Sequence, residues 1–214
     1  MKKLPLLLIA VGLGLLSCTK KAVNPAPANP GADSVVTIGG AAYPVVKIGA
    51  QSWTSVNYTG PGGVFNSGNP LETPLDGKLY TPEEAARITL PAGWRIPTYN
   101  DYLNLLIARG ATKESDGTYT AGLNVAQSLM AESGWSEGGG NNYSKFNALP
   151  TGFYHLDVFY GSGNGASFLH SLTTGTPPDE AFTIGPGPDG QPFIYLGLTL
   201  IDGDRCSIRF VKDN

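Results

Sequence analysis

The 214 residues include two cysteines, 29 glycines and 17 prolines, with 14% charged side chains and a formal charge of −3. A mildly acidic chain with scattered charges has no electrostatic footprint for nucleic acid, and two cysteines leave no CxxC redox or zinc framework. Plentiful glycine and proline, punctuated by aromatics, favour short strands joined by many turns over a helical bundle.

The first segment is built like a secretory signal. Met1-Lys2-Lys3 is a short basic head, and Leu4 to Leu16 is an apolar run short of the roughly 20 residues a spanning helix needs. Leu15-Leu16-Ser17-Cys18 closes it with the leucine and small-residue pattern of a bacterial lipobox. Residues 1–17 are therefore expected to be a lipoprotein signal peptide. Cys18 then carries a diacylglyceryl group on its thiol and usually an acyl chain on its amine. Several chains on one residue hold a protein at a membrane far more firmly than one. The competing reading is an ordinary secretory signal in which the cysteine falls by chance. Loss of Lys2 and Lys3 leaves 12 basic against 17 acidic residues, a charge of −5. With Cys18 lipidated, Cys206 has no intrachain partner, so a disulfide cannot form even in a compartment that permits one. Stability must come from a core, which a domain of this length can bury.

Residues 18–33 hold the lipidated cysteine and a Pro/Ala-rich tether, Thr19 to Asp33, whose composition cannot build a core and whose prolines favour extended chain. Lys20 and Lys21 would meet anionic headgroups or simply solvate the linker. Thr19 stands where an aspartate is associated with inner-membrane retention, which favours an outer-membrane lipoprotein. The side it faces, periplasm or exterior, stays open.

The folded domain is expected over residues 34–214. Val35 to Ile38 reads as a strand, and Tyr43 to Ile48 with Gln51 to Asn57 reads as a hairpin turning at Gly49-Ala50. Tyr58 to Asp76 reads as a long surface loop. Thr81-Pro82-Glu83-Glu84 starts a short helix ending near Ile88, with a threonine cap, a proline and a capping glutamate. Thr98 and Asp101 start a second helix, striped by Tyr102, Leu105, Leu106 and Ile107 and stopped at Gly110. An Asp116-Gly117 turn precedes a third helix, about Asn124 to Glu132. Strands are expected at Phe146 to His155, Ala166 to Leu172, Ala181 to Ile184, Phe193 to Leu200 and Arg205 to Val211. In the last of these, Cys206, Ile208 and Phe210 alternate with Ser207 and Arg209, which puts Cys206 inward. Helices in the first half and strands at both ends indicate an α+β domain.

Chemistry is sparse. His155 and His170 are the only histidines and have no HxxxH spacing, and no nucleophile elbow or phosphate loop is present. Asp202 and Asp204 admit two readings, part of a calcium site with oxygen ligands or a polar hairpin turn at Ile201 to Asp204; an enzyme or cryptic metalloprotein would need His155, His170, Asp202 and Asp204 to converge. No cofactor and no metal are expected. Trp135, Tyr143, Tyr154, Tyr160 and Tyr195 border Gly/Asn/Ser-rich loops, where rings either stack on a sugar or partner, or pin the loops to the domain. The loops Gly134 to Asn142 and Gly161 to Ala166 give the candidate ligand-binding residues Trp135, Asn141, Asn142, Tyr143, Tyr160 and Asn164, because function concentrates in loops on a rigid scaffold.

Several segments in order resemble the Fibrobacter succinogenes major paralogous domain family, common in envelope proteins of the Bacteroidetes. They are Val46-Lys47-Ile48-Gly49-x-Gln51-x-Trp53, Gly77-Lys78-Leu79-Tyr80-Thr81 and Pro91-Ala92-Gly93-Trp94-Arg95-Ile96-Pro97-Thr98. Phe146-Asn147-Ala148-Leu149-Pro150-x-Gly152-Phe153, Phe159-x-Gly161 and Ser207-Ile208-Arg209-Phe210-Val211-Lys212-Asp213 follow. The resemblance implies a C-type-lectin-like α+β scaffold displaying long loops, with Trp53 and Trp94 in its core. The family usually places cysteines at the positions of Leu90 and Phe210, so a hydrophobic contact is expected in place of a disulfide. The expectation is a lipid-anchored, non-enzymatic envelope module recognising a glycan or protein ligand through surface loops. Two alternatives are a structural or adhesion-complex subunit of a surface assembly and an enzyme related to formylglycine-generating enzymes.

Overall fold

Two antiparallel sheets face a set of short helices, and the C-terminal segment threads between them. The structure is a computed structural model that describes residues 31–65, 77–160, 163, 165–171, 173–187 and 191–214. Cys18 and most of the tether therefore lie outside the described residues. Strands β1 (Ser34–Ile38), β2 (Ala41–Ile48) and β3 (Gln51–Thr54) form a meander. The β2–β3 hairpin turns at Gly49, whose φ of +61° is left-handed and whose added Cβ would stand 2.9 Å from that of Ala108. Glycine alone fits there without displacing the neighbour.

Two helices follow the cap chemistry of their sequences. In α1 (Pro82–Ala86) the Thr81 hydroxyl accepts from the Glu84 N–H at 3.2 Å, and the Glu84 carboxylate accepts from the Thr81 N–H at 3.0 Å. In α2 (Tyr99–Ala108) Thr98 and Asp101 make the same reciprocal pair. The apolar stripe of α2 is narrower than its spacing suggests: Tyr102, Leu105 and Leu106 are buried, but Ile107 is exposed. Strands β4 (Thr112–Lys113) and β5 (Tyr119–Thr120) form a small hairpin. Helix α3 covers only Leu123–Leu129, because the Met130 backbone leaves the helix to bridge Ala148.

The β-rich second half begins later than the sequence pattern suggests. Phe146 to Gly152 is irregular, and only Phe153–His155 (β6) forms a strand, paired with β7 (Val158–Tyr160). Strands β8 (Ala166–His170), β9 (Glu180–Pro186) and β10 (Pro192–Thr199) make the second sheet in the order β10-β9-β8. The chain ends in β11 (Val211–Asp213), which joins β3 and completes a sheet ordered β1-β2-β3-β11. The result is a β-rich α+β fold.

Residues 205–210 were expected to be one strand but instead spend their hydrogen bonds on several partners. Arg205 pairs with Tyr154, Cys206 with Tyr80, and Ser207 with Ser167 and Leu169; Ile208 accepts from Tyr58, and Phe210 from Thr54. With protein on every side, Ser207 and Arg209 are as fully buried as Cys206, Ile208 and Phe210. Tyr58 is likewise buried at 3% exposure, and Val64 pairs with Leu79, so the described start of the expected surface loop is folded onto the domain. Residues 66–76 lie outside the described set.

The core is aromatic. Trp53 packs on Tyr102 at 5.1 Å, and Tyr102 stacks on Phe182 at 4.5 Å, joining the first sheet, α2 and the second sheet through one line of rings. Among the described residues, no helix is long and apolar enough to cross a membrane.

Candidate functional site

The sequence-derived candidates scatter. Trp135 is 9% exposed, belongs to the main core cluster and donates its indole N–H to the Ala131 carbonyl at 2.9 Å. It faces inward. The Gly134 to Asn142 loop is stitched to the end of α3: Gly140 N–H donates to Ala131, Asn141 to Gln127 and Asn142 to Met130. Gly140 is a close approach, since a Cβ there would lie 2.0 Å from the Met130 carbonyl oxygen. The Asn142 side chain bonds Asn147 on both sides, and the Asn141 side chain accepts from the Tyr143 N–H, so both amides brace the loop. Tyr143 is the most open of the set, 76% exposed under the Arg109 guanidinium at 5.2 Å. Tyr160 sits apart on β7, half exposed and stacked on Phe153 at 5.1 Å. Asn164 lies outside the described residues.

The polar candidates do not form one centre. Asp204 is buried; its carboxylate accepts from the Leu156 and Ile201 N–H groups at 3.1 Å each and meets His155 Nδ1 at 2.9 Å. With those partners it acts as a clamp. Asp202 is exposed on the neighbouring turn. His170 is buried on β8, away from the other three, against Tyr99 and Tyr102. Among the described residues no three His, Cys, Asp or Glu side chains come together as a metal cluster. Burial pushes the Cys206 thiol far above its ordinary range, which holds it as a neutral core group.

His170 and Glu180 stand opposite each other across β8 and β9. Their nearest polar atoms are 3.8 Å apart, and neither His170 Nε2 nor Glu180 Oε2 has a hydrogen-bond partner among the described residues. Desolvation lowers the His170 pKa below its ordinary 6.5 and raises that of Glu180 above 4.5. The unfolded chain therefore protonates its histidine first as pH falls through 6.5, and stability is lost on that side. Glu180 works in the opposite direction, because the folded chain takes its proton first. His170→Gln is expected to flatten the fall in urea midpoint between neutral and mildly acidic pH; an unchanged slope would remove His170 from the acid response.

A groove of about 690 Å³ lies elsewhere, between α2, the β4–β5 hairpin and β10. That volume is in the range of small-ligand and peptide sites. Its floor is Tyr99, Leu103 and Leu106 from α2, one wall is Thr118 and Tyr119, and the other is Phe193, Ile194 and Leu196. Local chemistry positions each wall. Asp116 accepts from both the Thr118 N–H and its hydroxyl, at 2.9 and 2.7 Å, and so fixes the turn that presents Tyr119. Those bonds hold the Asp116 carboxyl below the usual carboxylate range. β10 pairs with β9 through Pro192 to Leu196, then bulges at Gly197. Shallower depressions of about 450 Å³ lie beside Trp94 and beside Tyr58.

Residues 46–212 match the family model described as the Fibrobacter succinogenes major domain. The chain belongs to that family. No curated protein and no solved structure is significantly similar to it. The segments that carry the Fibrobacter succinogenes major domain motifs meet inside the fold. Val211 pairs with both Trp53 and Arg95, and Asp213 with Gln51. The Arg95 guanidinium bonds Asp101 and Asp213, and Gln51 donates to Asp101 at 2.6 Å. Leu90 packs against the cluster that contains Phe210, so the two apolar side chains share one core. These motifs build scaffold, and Tyr119, Phe193 and Ile194 of the groove lie outside them. Sequence reading passed over the groove because its walls come from three distant segments. The available signal was the uncharged, aromatic-bearing run Pro192 to Thr199 beside a hairpin tyrosine.

Proposed function

We propose that this protein is a lipid-anchored, non-catalytic recognition module of the bacterial cell envelope, with a C-type-lectin-like domain that takes its ligand in the groove between α2, β4–β5 and β10. The observation that carries this reading is the groove itself: three rings, Tyr99, Tyr119 and Phe193, line a single concavity of about 690 Å³. Aromatic faces in a largely preformed cleft supply contact area at small entropic cost. The engagement of His155 by Asp204 and the burial of His170 and Cys206 favour recognition over catalysis. The lipobox ending at Cys18 supports the anchor, with outer-membrane placement as its expected consequence.

The test is a binding screen of the purified full chain against glycans, cell-wall fragments and peptides, with and without calcium. Saturable binding should fall at least about tenfold in Tyr119→Ala, which loses one stacking face, while the thermal midpoint stays near that of the parent. Binding that survives both Tyr119→Ala and Phe193→Ala would move the site elsewhere. Radiolabelled palmitate should be incorporated by the parent and lost in Cys18→Ala.

A further inference from the structure

We propose that the groove accepts an extended, uncharged polypeptide segment, which adds to the free edge of β10 as a fourth strand of the β10-β9-β8 sheet. This rests on the groove being the binding site and names its ligand class. Consecutive residues of a strand point to opposite faces, and the groove touches Pro192, Ile194 and Leu196 on one face of β10 and Phe193 on the other, so it reaches the strand's edge. That edge is open. β10 has β9 as its one neighbour in the sheet. The register fixes which backbone groups face outward. Gly187 N–H donates to the Gln191 carbonyl, and the same antiparallel ladder pairs Phe193 with Gly185 and Tyr195 with Thr183. Hydrogen-bonded pairs alternate in such a ladder, so the N–H and C=O groups of Ile194 and Leu196 point away from β9. Among the described residues they have no backbone partner outside the strand ladders.

An edge of unpaired amides specifies a strand as its complement, since backbone groups lining a cleft are best met by backbone-like partners. Pro192, with no N–H, and the bulge at Gly197 bracket the available stretch. The lining chooses the chemistry of the segment. Apart from its tyrosines the groove wall carries no ionisable side chain, so a charged residue entering it would be desolvated without a partner. The β4–β5 hairpin stands across from the edge, which admits a single loose strand and obstructs the edge of a second folded sheet. A segment of another envelope protein therefore fits better than a second copy of this chain.

The experiment uses the full chain and capped, uncharged octapeptides in which Val or Tyr alternates with Thr. Binding should be lost in Tyr119→Ala, and single N-methyl groups walked along the best peptide should weaken it about tenfold or more at every second residue only. Amide exchange at Ile194 and Leu196 should slow on binding. Weakening that ignores the two-residue period, or no slowing at those amides, would overturn strand addition. Glycan binding sensitive to Tyr119→Ala, with no peptide binding, would overturn the inference and leave the groove reading intact. Dimerisation that protects the same amides would give the edge to a second copy and overturn the choice of occupant. Absence of any groove ligand would bring down both.

Discussion

Arg209→Met is expected to lower the free energy of unfolding by about 3 to 5 kcal/mol, the range seen when one partner of a buried charged group is removed. The guanidinium is fully buried, and among the described residues no carboxylate pairs with it. Its compensation is geometric. Nε donates to the Asn57 side-chain oxygen at 2.6 Å, Nη1 to the Thr54 and Phe146 carbonyls at 2.9 and 2.8 Å, and Nη2 to the Asn147 carbonyl at 2.8 Å. The Phe146 and Phe168 rings flank the cation at 5.0 and 5.5 Å. Desolvation pulls its pKa down to about 9, which leaves it charged at neutral pH. Methionine fills much of the space but removes the donor from four acceptors, three of them buried and the Asn147 carbonyl partly so, each worth about 1 to 3 kcal/mol when unsatisfied. Arg209→Lys should recover little, because one ammonium cannot reach four acceptors spread around a planar fork. Urea unfolding measures both variants. A loss below about 1 kcal/mol for Arg209→Met would mean that water enters to satisfy the carbonyls.

This arginine also explains why part of the fold was legible in the sequence and part was not. The capped starts of α1 and α2, the β2–β3 hairpin and the Asp116-Gly117 turn are local: a few adjacent side chains decide them, and they stand where the residues put them. Phe146 to Gly152 reads as strand by composition, yet its carbonyls are held by Arg209, more than 60 residues away, and Asn147 adopts a left-handed φ of +57°. Residues 205–210 fail as a regular strand for the same reason, since each finds a different backbone partner. The Gly134 to Asn142 loop differs from what its composition suggests as well. Glycine and asparagine around Trp135 suggest open display, but here they allow close backbone approach, and the indole turns into the core. The groove was invisible because no local pattern reveals that Tyr119 and Phe193 face one another.

Asp204 and Leu156 should give stability changes of opposite sign. The β6–β7 hairpin turns through Leu156 and Asp157, both left-handed at φ of +51° and +58°. A two-residue turn of this kind prefers Asn-Gly, and a bulky L-residue there is strained by about 1 to 2 kcal/mol. The turn persists because the buried Asp204 carboxylate grips it, accepting the Leu156 N–H and bonding His155 Nδ1, while its other N–H contact ties in Ile201. Asp204→Ala should therefore cost about 2 to 4 kcal/mol, from lost charge-assisted bonds and a turn freed to relax. Leu156→Asn should stabilise by about 0.5 to 1 kcal/mol, since asparagine tolerates the left-handed region. The leucine side chain is 62% exposed, so little packing is lost. Leu156→Asn should keep its gain in the Asp204→Ala background only if the turn still forms there. Equal gains in both backgrounds would show that the turn keeps its shape without the clamp. A complete loss of the gain would show that Asp204 alone enforces the left-handed pair. Urea unfolding of the four proteins in this cycle separates the two, and amide exchange at Leu156 reports directly whether the turn has opened.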